Sequence, residues 1–267
     1  MRIIFFTIFL LPVFLFAQTI TAKYEITYGG FLNLGEAYAS LSINENRYKI
    51  KIEAHTTGMA KVLTNNRVEI YESTGIYQDE IFIPKQFIKT KKDDFKQHIK
   101  TYSFDTQNKK VHIKEFKEET QSIPQTDFTK KIKHITKESS SNLDYFANND
   151  LLSLFFNLEK LLGGFTPANN YELKAVGANK TKGKIDILIP SGKKSEELNK
   201  SLHIESKVKF IAYINQKIFS SKRGELLISL NKHNFCNKAV LKDVLLFGDI
   251  SGEIVEFKID GEKNEKI

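Results

Sequence analysis

Alternation of apolar and polar residues with a period of two runs through most of this chain. It begins with Tyr24, Ile26 and Tyr28, and it continues from residue 37 to residue 54 on both sides of an Asn-Glu-Asn turn at 44–46. Because successive side chains of a β-strand point to opposite faces, this alternation indicates strands with one buried face and one solvated face. Two such strands joined by a short polar turn are typical of a β-hairpin.

Comparable segments recur along the rest of the chain. They are residues 67–73, 87–91, 97–104, 110–116, 128–135, 171–178, 184–189, 202–214, 225–230, 239–247 and 253–259. Residues 105–109 predict a turn, whereas 137–142 and the polar stretch 190–200 predict loops. We therefore predict a mainly β fold, built on a curved antiparallel sheet that forms a half-barrel or a partly open barrel.

One segment departs from this pattern. Residues 150–162, with the sequence DLLSLFFNLEKLL, predict a helix that Asn149 or Asp150 caps at its start and Gly163 ends. Its apolar residues cover most of the helix circumference rather than one stripe, so the helix should be enclosed on several sides. A curved sheet wrapped around one central helix would enclose it.

The N-terminus predicts export. After Met1 and Arg2 the chain is apolar as far as Ala17, over a run of about 15 residues that is shorter than the roughly 20 needed for a membrane span. We expect a signal peptide at 1–17, cleaved near Ala17, and a periplasmic location. No cysteine directly follows the cleavage point, where Gln18 and Thr19 stand, so no lipid anchor is expected. Residues 18–260 predict a single β domain, with two domains as the alternative, and 261–267 predict a frayed tail.

Positive charge is concentrated in one part of the chain. The whole sequence carries a formal net charge of +8, and residues 85–137 contain 14 lysines against seven acidic residues. Two interpretations stay open. Lys109, Lys110, Lys114 and Lys117 could form a basic docking face for an anionic partner, or the lysines could line the solvated side of strands and protect exposed edges.

The sequence offers no recognisable catalytic or cofactor motif. Its six histidines lack metal-ligand spacing, and we find no nucleophile elbow or phosphate-binding glycine loop, so we expect no enzyme, no cofactor and no metal. The only cysteine, Cys236, is expected to be a buried unreactive thiol. With only four arginines in an exported chain, nucleic-acid binding is the least favoured function.

A modification site is also possible. The segment Glu197-Leu198-Asn199-Lys200-Ser201 fits the acidic extended sequon of bacterial periplasmic oligosaccharyltransferases. It makes Asn199 a glycosylation candidate, to which a chance match is the alternative.

Several motifs together resemble a known family. They are an opening Tyr-x-x-x-Tyr-Gly-Gly at 24–30, Leu-Gly-Glu-Ala at 34–37, Thr-Gly at 57–58, Asp-Leu-Leu-Ser-Leu at 150–154 and Gly-Asp-Ile-Ser-Gly-Glu at 248–253. In this order they resemble a periplasmic domain-of-unknown-function family of Gram-negative bacteria. The resemblance implies a half-barrel with a general likeness to lipoprotein carriers, and it carries over no catalytic residues.

Two functions follow from these expectations. A half-barrel around a helix predicts a non-enzymatic binding or carrier module for a hydrophobic ligand or envelope component, with Phe155, Phe156 and Leu158 lining the site. The same three side chains would otherwise simply fill the core. The alternative function is a structural scaffold or accessory subunit of an envelope machine, such as a flagellar motor or secretion assembly.

Overall fold

The computed structural model describes residues 18–126, 129–178, 182–213, 224–244 and 248–260. The predicted signal peptide and the predicted tail lie outside these residues. The described residues form fourteen strands and three helices. The strands are β1 Gln18–Tyr28, β2 Leu32–Asn44, β3 Arg47–Thr56, β4 Val68–Gln78, β5 Ile81–Lys92, β6 Lys96–Asp105, β7 Lys110–Thr126, β8 Thr129–Asn142, β9 Asn169–Lys174, β10 Lys184–Ile189, β11 Val208–Tyr213, β12 Glu225–Leu230, β13 Cys236–Val244 and β14 Gly248–Ile259, and the helices are α1 Gly58–Leu63, α2 Leu151–Leu162 and α3 Gly192–Leu202.

The fourteen described strands join one antiparallel sheet. Its order is β8-β7-β6-β5-β4-β3-β2-β1-β14-β13-β12-β11-β10-β9, so β8 and β9 are the edges and the sheet is not closed. Strand β1 pairs on one side with β2 and on the other with β14, which joins the two ends of the chain in the middle of the sheet. The predicted mainly β, antiparallel and open architecture is confirmed.

Two predicted loops are regular structure instead. Residues 137–142 continue β8, whose last residue pairs with His112 of β7. Residues 192–202 form α3, in which Leu198 and Leu202 are buried against a cluster that includes Ile211 and Leu227. Both predictions were wrong because polar composition was taken as a loop signal, whereas strand pairing and one buried helix stripe decided the structure.

Helix α2 has the ends that the sequence predicts. The Asp150 carboxylate accepts hydrogen bonds from the backbone N–H of Leu152 at 2.8 Å and of Ser153 at 3.0 Å, while the Ser153 hydroxyl accepts from the Asp150 N–H at 2.9 Å. This reciprocal pair is a capping box, which satisfies otherwise unpaired donors of the first turn. At the other end Gly163 adopts the left-handed conformation that stops a helix.

Asn157 fixes α2 to the sheet. Its side-chain amide donates to the carbonyl of Phe82 at 2.9 Å and its carbonyl oxygen accepts from the N–H of the same residue at 2.8 Å. Pairing of β5 with β6 begins only at Gln86. The amide of Asn157 therefore takes the place of a neighbouring strand for the start of β5.

A buried carboxylate connects the helix start to the middle of β4. The Ser73 hydroxyl bonds to Asp150 at 2.5 Å, and the Tyr48 hydroxyl lies 2.9 Å from that of Ser73. Asp150 is fully buried. Desolvation raises the pKa of its carboxyl to about 6, against the opposing effect of the hydrogen bond from Ser73.

Two variants of Asp150 distinguish its role as a helix cap from the effect of its buried charge. We expect Asp150→Ala to lower the free energy of unfolding by about 2–3 kcal/mol, because the cap is lost and Ser73 loses its buried partner. Asp150→Asn keeps an acceptor for the cap and should cost less than about 1 kcal/mol.

The pH dependence of unfolding supplies the second readout. Since the folded pKa of Asp150 is raised, its protonated form favours folding at low pH, and this contribution is lost as the pH rises through about 6. Urea unfolding between pH 4 and 7 should show this loss in the wild type and not in Asp150→Asn. Equal pH dependence in both proteins would contradict a buried, desolvated carboxyl.

Candidate functional site

Helix α2 lies over one half of a sheet face, which we call the inner face. The helix starts beside Ser73, in the middle of β4, and its Lys160 bonds to the carbonyl of Asp79 and to the carboxylate of Glu80 at the β4–β5 turn. The part of β4 before Ser73, and the segments of β3 and β5 to β7 that pair alongside it, therefore extend beyond the helix. This half of the inner face differs sharply in chemistry from the half beneath α2.

Two rows of cross-strand partners carry the difference. In the first row Tyr71, Lys89, Lys100 and Glu115 are register partners on β4 to β7, and in the second row Glu69, Lys91, His98 and Lys117 are. Direct partners in an antiparallel sheet point to the same face, with their side chains in contact range. We call these eight residues, together with Arg67, the charged patch.

Glu69 is paired at the β4 side of the charged patch. Its carboxylate accepts from the Tyr71 hydroxyl at 2.6 Å, forms an ion pair with Arg67 and lies 3.4 Å from the Lys91 ammonium. Desolvation acts to raise the pKa of Glu69, but the Tyr71 hydrogen bond and the two cations outweigh it and hold the pKa below its usual range. Glu69 is therefore ionised at neutral pH.

Glu115 is paired at the β7 side. Its carboxylate lies 2.9 Å from the Lys117 ammonium, 3.4 Å from that of Lys100 and 2.5 Å from His98 Nε2. Partial desolvation acts to raise the pKa of Glu115, yet the bonds from Lys117 and His98 and the neighbouring positive charges bring it down to about 2. The Glu115 carboxylate is thus the shared ion-pair partner of three basic side chains.

Lys89 lies between these two carboxylates. Its ammonium donates to the carbonyl oxygen of Gly177 at 3.0 Å and lies 5.5 Å from the centre of the Tyr71 ring. Desolvation lowers the pKa of Lys89 to about 8, and the charges of Lys91 and Lys100 contribute to the decrease. The lowered pKa therefore records mainly the burial of the Lys89 ammonium, and only secondarily the positive charges beside it.

The charged patch carries more positive charge than its own carboxylates balance. Five of its side chains are Arg or Lys and two are Glu, which leaves an excess of three positive charges with His98 neutral. Opposite charge within about 4 Å stabilises an ion pair, whereas like charges at that range repel. The arrangement is therefore complementary to an anionic group.

A strip of apolar and small residues continues the same face toward β14. Ile52 and Ala54 pair with Tyr71 and Glu69, and Ala37 pairs with Ala54. On β1 the register partner of Ala37 is Tyr24, and Ile26, two residues further along β1, pairs with Gly252. We call these five residues, Ile26, Ala37, Ile52, Ala54 and Gly252, the apolar strip.

The apolar strip has room above it at Gly252. A Cβ atom built on Gly252 would meet none of the described atoms within 4 Å. Gly252 also lies outside the left-handed backbone region, so a larger residue is compatible with its conformation. None of the described residues therefore fills the inner face where the strip crosses β14.

The three predicted ligand-lining residues lie in the core beneath α2. Leu158 is 2% exposed and packs among strand residues such as Ile187 and Phe210. The Phe156 ring centre lies 5.7 Å from that of Phe82, 5.3 Å from that of Phe235 and 5.5 Å from that of Phe155. These side chains contact protein on several sides, and their role as ligand contacts stays a prediction.

The four lysines of the predicted docking face are exposed but do not share one face. Lys110 and Lys114 alternate with Val111 and Ile113, which point inward, so these two lysines lie on the outer face. Lys109 lies in the β6–β7 turn with φ 50°. Lys117 follows Val111 and Ile113 in the same alternation, so its side chain points to the inner face, where it belongs to the charged patch.

The glycosylation candidate lies on a helix rather than in the expected loop. Asn199 is exposed near the end of α3, and its carbonyl oxygen accepts from His203 N at 2.9 Å. The sequon side chain is thus accessible, while its backbone is helical. For Cys236, desolvation raises the thiol pKa to about 12, in line with the unreactive thiol predicted from the sequence.

The charged patch was missed at the level of sequence, although a signal existed. Phe87 is fully buried, and Lys89 and Lys91 follow it at intervals of two, so they share its inward phase. Lysines that continue the buried phase of a strand are unusual, because burial of a charge is costly. Composition alone assigned them to the solvated face.

Among the described residues, no three His, Cys, Asp or Glu side chains converge as a metal ion would require. Nor does any helix within these residues combine the length and apolar character needed to cross a bilayer.

Comparison with known proteins gives one match. Residues 23–154 match the model of a family described as Protein of unknown function (DUF3108). The match supports the predicted resemblance to a domain-of-unknown-function family, from β1 to the first turn of α2, and it includes every residue of the charged patch. It stops before the Gly-Asp-Ile-Ser-Gly-Glu segment at 248–253. Neither curated proteins nor solved structures give a significant match.

Unfolding of a Lys89 variant tests the desolvated lysine. Because the pKa of Lys89 is lowered in the folded state, its contribution to stability is present above the unfolded-state pKa and is lost as the pH falls through about 8. The wild type should therefore gain unfolding free energy in urea titrations between about pH 8 and pH 10, above the folded-state pKa and below the unfolded-state pKa of about 10.4.

Lys89→Met should flatten that rise and should be at least as stable as the wild type at about pH 7. Lys114→Met removes the same charge from the outer face and should keep the wild-type slope. Identical slopes for the wild type and Lys89→Met would show that Lys89 is fully solvated.

Proposed function

We propose that this protein is an exported, non-enzymatic binding module of the bacterial periplasm. Its ligand is an apolar molecule with an anionic head group. The charged patch holds the head group and the apolar strip holds the tail. The observation that carries the proposal is the excess of three positive charges directly beside a strip with open space at Gly252.

Electrostatics favour an anionic head group. Lys89, Lys91 and Lys100 are neighbours across two strands, and their mutual repulsion is relieved when a carboxylate or phosphate lies among them. One ion pair at 4 Å is worth about 1 kcal/mol in water and about 4 kcal/mol near a protein surface. Glu69 and Glu115 remain ionised and paired, so they supply charge balance rather than a base for proton transfer.

The apolar strip supplies the remaining affinity. Each methylene removed from water contributes about 0.8 kcal/mol, so a tail that buries eight of them would contribute roughly 6 kcal/mol. Together with one partly screened ion pair this approaches the roughly 8 kcal/mol of a micromolar complex. The small side chain of Ala54, which is half-buried, allows a tail to approach the backbone of the sheet.

The proposal takes the sheet to curve around α2. Phe82 on β5 and Phe235 beside β13 are far apart in strand order, yet both rings contact Phe156 on the helix. This arrangement supports a half-barrel whose inner face is concave, with the patch and the strip facing the same space. The predicted signal peptide supports the periplasmic location.

A structural role is the second candidate. Lys109, Lys110 and Lys114 are exposed at or near the β6–β7 turn and on the outer face, where an acidic subunit of an envelope assembly could dock. This surface is separate from the charged patch, so variants distinguish the two functions. Loss of assembly in Lys110→Met/Lys114→Met, with no ligand found, would favour the scaffold.

Calorimetric titration with laurate tests the proposal. At pH 8 the Lys89 ammonium is about half protonated, and an adjacent carboxylate raises its pKa, so binding should take up about half a proton. The uptake is measured as the difference between binding enthalpies in HEPES and in Tris. Dodecanol, which has the same tail without the charge, should bind more weakly and without proton uptake.

Three variants assign the binding to its residues. Lys89→Met should abolish proton uptake and weaken laurate about tenfold, which equals about 1.4 kcal/mol. Gly252→Leu should fill the space above the strip and weaken both laurate and dodecanol. Lys114→Met should bind like the wild type. Absence of laurate binding, or laurate affinity that is equal in all four proteins, would refute the proposed site.

A further inference from the structure

Six apolar side chains are exposed where strands β1 to β6 are joined at one of their two ends. Phe31 is 83% exposed, Val62 77% and Met59 74%. We call the whole set the apolar rim, and its members are Phe31, Leu32, Met59, Val62, Leu63 and Phe95. Single exposed apolar residues are ordinary on protein surfaces, but a contiguous group marks a surface that binds something.

Topology and hydrogen bonds bring the rim together. The β1–β2 turn, helix α1 between β3 and β4, and the β5–β6 turn all lie at the same ends of adjacent antiparallel strands. The Thr57 hydroxyl donates to Asn33 Oδ1 at 2.6 Å, which ties α1 to the first turn. Asn66 donates to the Asp94 carboxylate at 2.5 Å, which ties the end of α1 to the turn that carries Phe95.

Helix α1 presents its apolar face outward. Met59, Val62 and Leu63 have the spacing i, i+3, i+4, which places them on one side of the helix. None of the six residues of this fully described helix is buried. A surface helix normally turns its apolar stripe toward the core, so this face is left for a partner outside the chain.

Two lysines without an ion-pair partner among the described residues flank the apolar rim, beside the two aspartates of the β5–β6 turn, Asp93 and Asp94. Lys61 lies on α1 between the apolar residues, and Lys92 ends β5 beside the turn of Phe95. Within the described part of the chain no carboxylate lies in ion-pair distance of either ammonium. In contrast, the Asp93 carboxylate accepts from the backbone N–H groups of Phe95 and Lys96, each at 2.9 Å, and is thereby tied into the turn.

We propose that the apolar rim docks on an anionic phospholipid surface. Its apolar tips would enter the interface between head groups and acyl chains, and Lys61 and Lys92 would contact the lipid phosphates. These side chains protrude from three separate segments, the β1–β2 turn, α1 and the β5–β6 turn, and they do not line a groove. This form suits insertion into a fluid interface, and the flanking lysines supply the charge complementarity.

The docking is independent of the ligand site but fits it. Tyr28, the last residue of β1 and the neighbour of the β1–β2 turn, pairs with Ile250 two residues before Gly252. A protein docked through the rim would therefore hold the open end of the apolar strip close to the bilayer. Failure of the ligand proposal would leave the rim proposal standing, because the rim variants leave the charged patch unchanged.

The absence of tryptophan from the sequence provides a clean probe. Phe31→Trp and Val62→Trp each introduce a single reporter into the rim, and Val255→Trp introduces one at a site on β14 that is 47% exposed and outside the rim. The full mature chain is mixed with vesicles of phosphatidylglycerol and phosphatidylethanolamine, or of phosphatidylcholine alone. Emission is recorded with and without lipids brominated along the acyl chain.

Both rim reporters should shift to the blue and be quenched by brominated lipid with the anionic vesicles, whereas Val255→Trp should not be. Flotation of the Phe31→Ser/Val62→Ser/Leu63→Ser variant should show at least tenfold weaker vesicle binding, and Val255→Ser should bind like the wild type. Since all three residues are highly exposed, an unchanged melting temperature and unchanged laurate affinity control for folding.

Three results would overturn this proposal. One is the absence of binding to anionic vesicles, and another is equal binding by the triple serine variant. The third is a wild type that is dimeric in sedimentation and becomes monomeric in the triple variant without any vesicle binding, which would make the rim an interface between copies of the chain.

Discussion

The buried carboxylate of Asp150 determines how the inner face of this protein is divided. By capping α2 and bonding to Ser73 it fixes the first turn of the helix over the middle of β4. Asn157 then binds the backbone of Phe82, so that the helix extends toward the β4–β5 turn and not the other way. The helix thereby covers half of the inner face, and the half beyond it carries the charged patch, where Lys89 contacts the carbonyl of Gly177. A cap of this kind contributes only about 1 kcal/mol, yet it sets the position of the whole site.

The two halves of the inner face follow from that division. Beneath α2 the strands carry large apolar side chains, such as Phe82, whose ring packs against Phe156 of the helix. Beyond the helix the same strands, in the same phase, carry Lys89, Lys91 and Lys100. Charged side chains are tolerated there because they are half-buried rather than fully buried and because Glu69 and Glu115 partly neutralise them. The remaining positive excess and the neighbouring apolar strip form one amphipathic surface, which our proposal assigns to an anionic amphiphile.

The sequence predicted what depends on local rules and missed what depends on packing across the sheet. The hairpin turn at 44–46 and both ends of α2 were confirmed, because turn residues and helix caps act over a few residues. The helical nature of 192–202 was missed, since two buried leucines in a polar stretch give a weak signal. The charged patch depends on the register between four strands, which no single strand specifies. Even so, Lys89 lies two residues after the apolar Phe87, and this spacing predicts that both side chains point to the same face.

Native mass spectrometry of the protein, purified gently from its own host, tests the central claim most directly. Our account predicts adducts of lipid-sized mass on the wild type and on Lys114→Met that dissociate on denaturation, and their loss from Gly252→Leu and from Lys89→Met/Lys100→Met. A wild type that is free of ligand, or identical adducts on all of these proteins, would contradict an amphiphile site formed by the charged patch and the apolar strip.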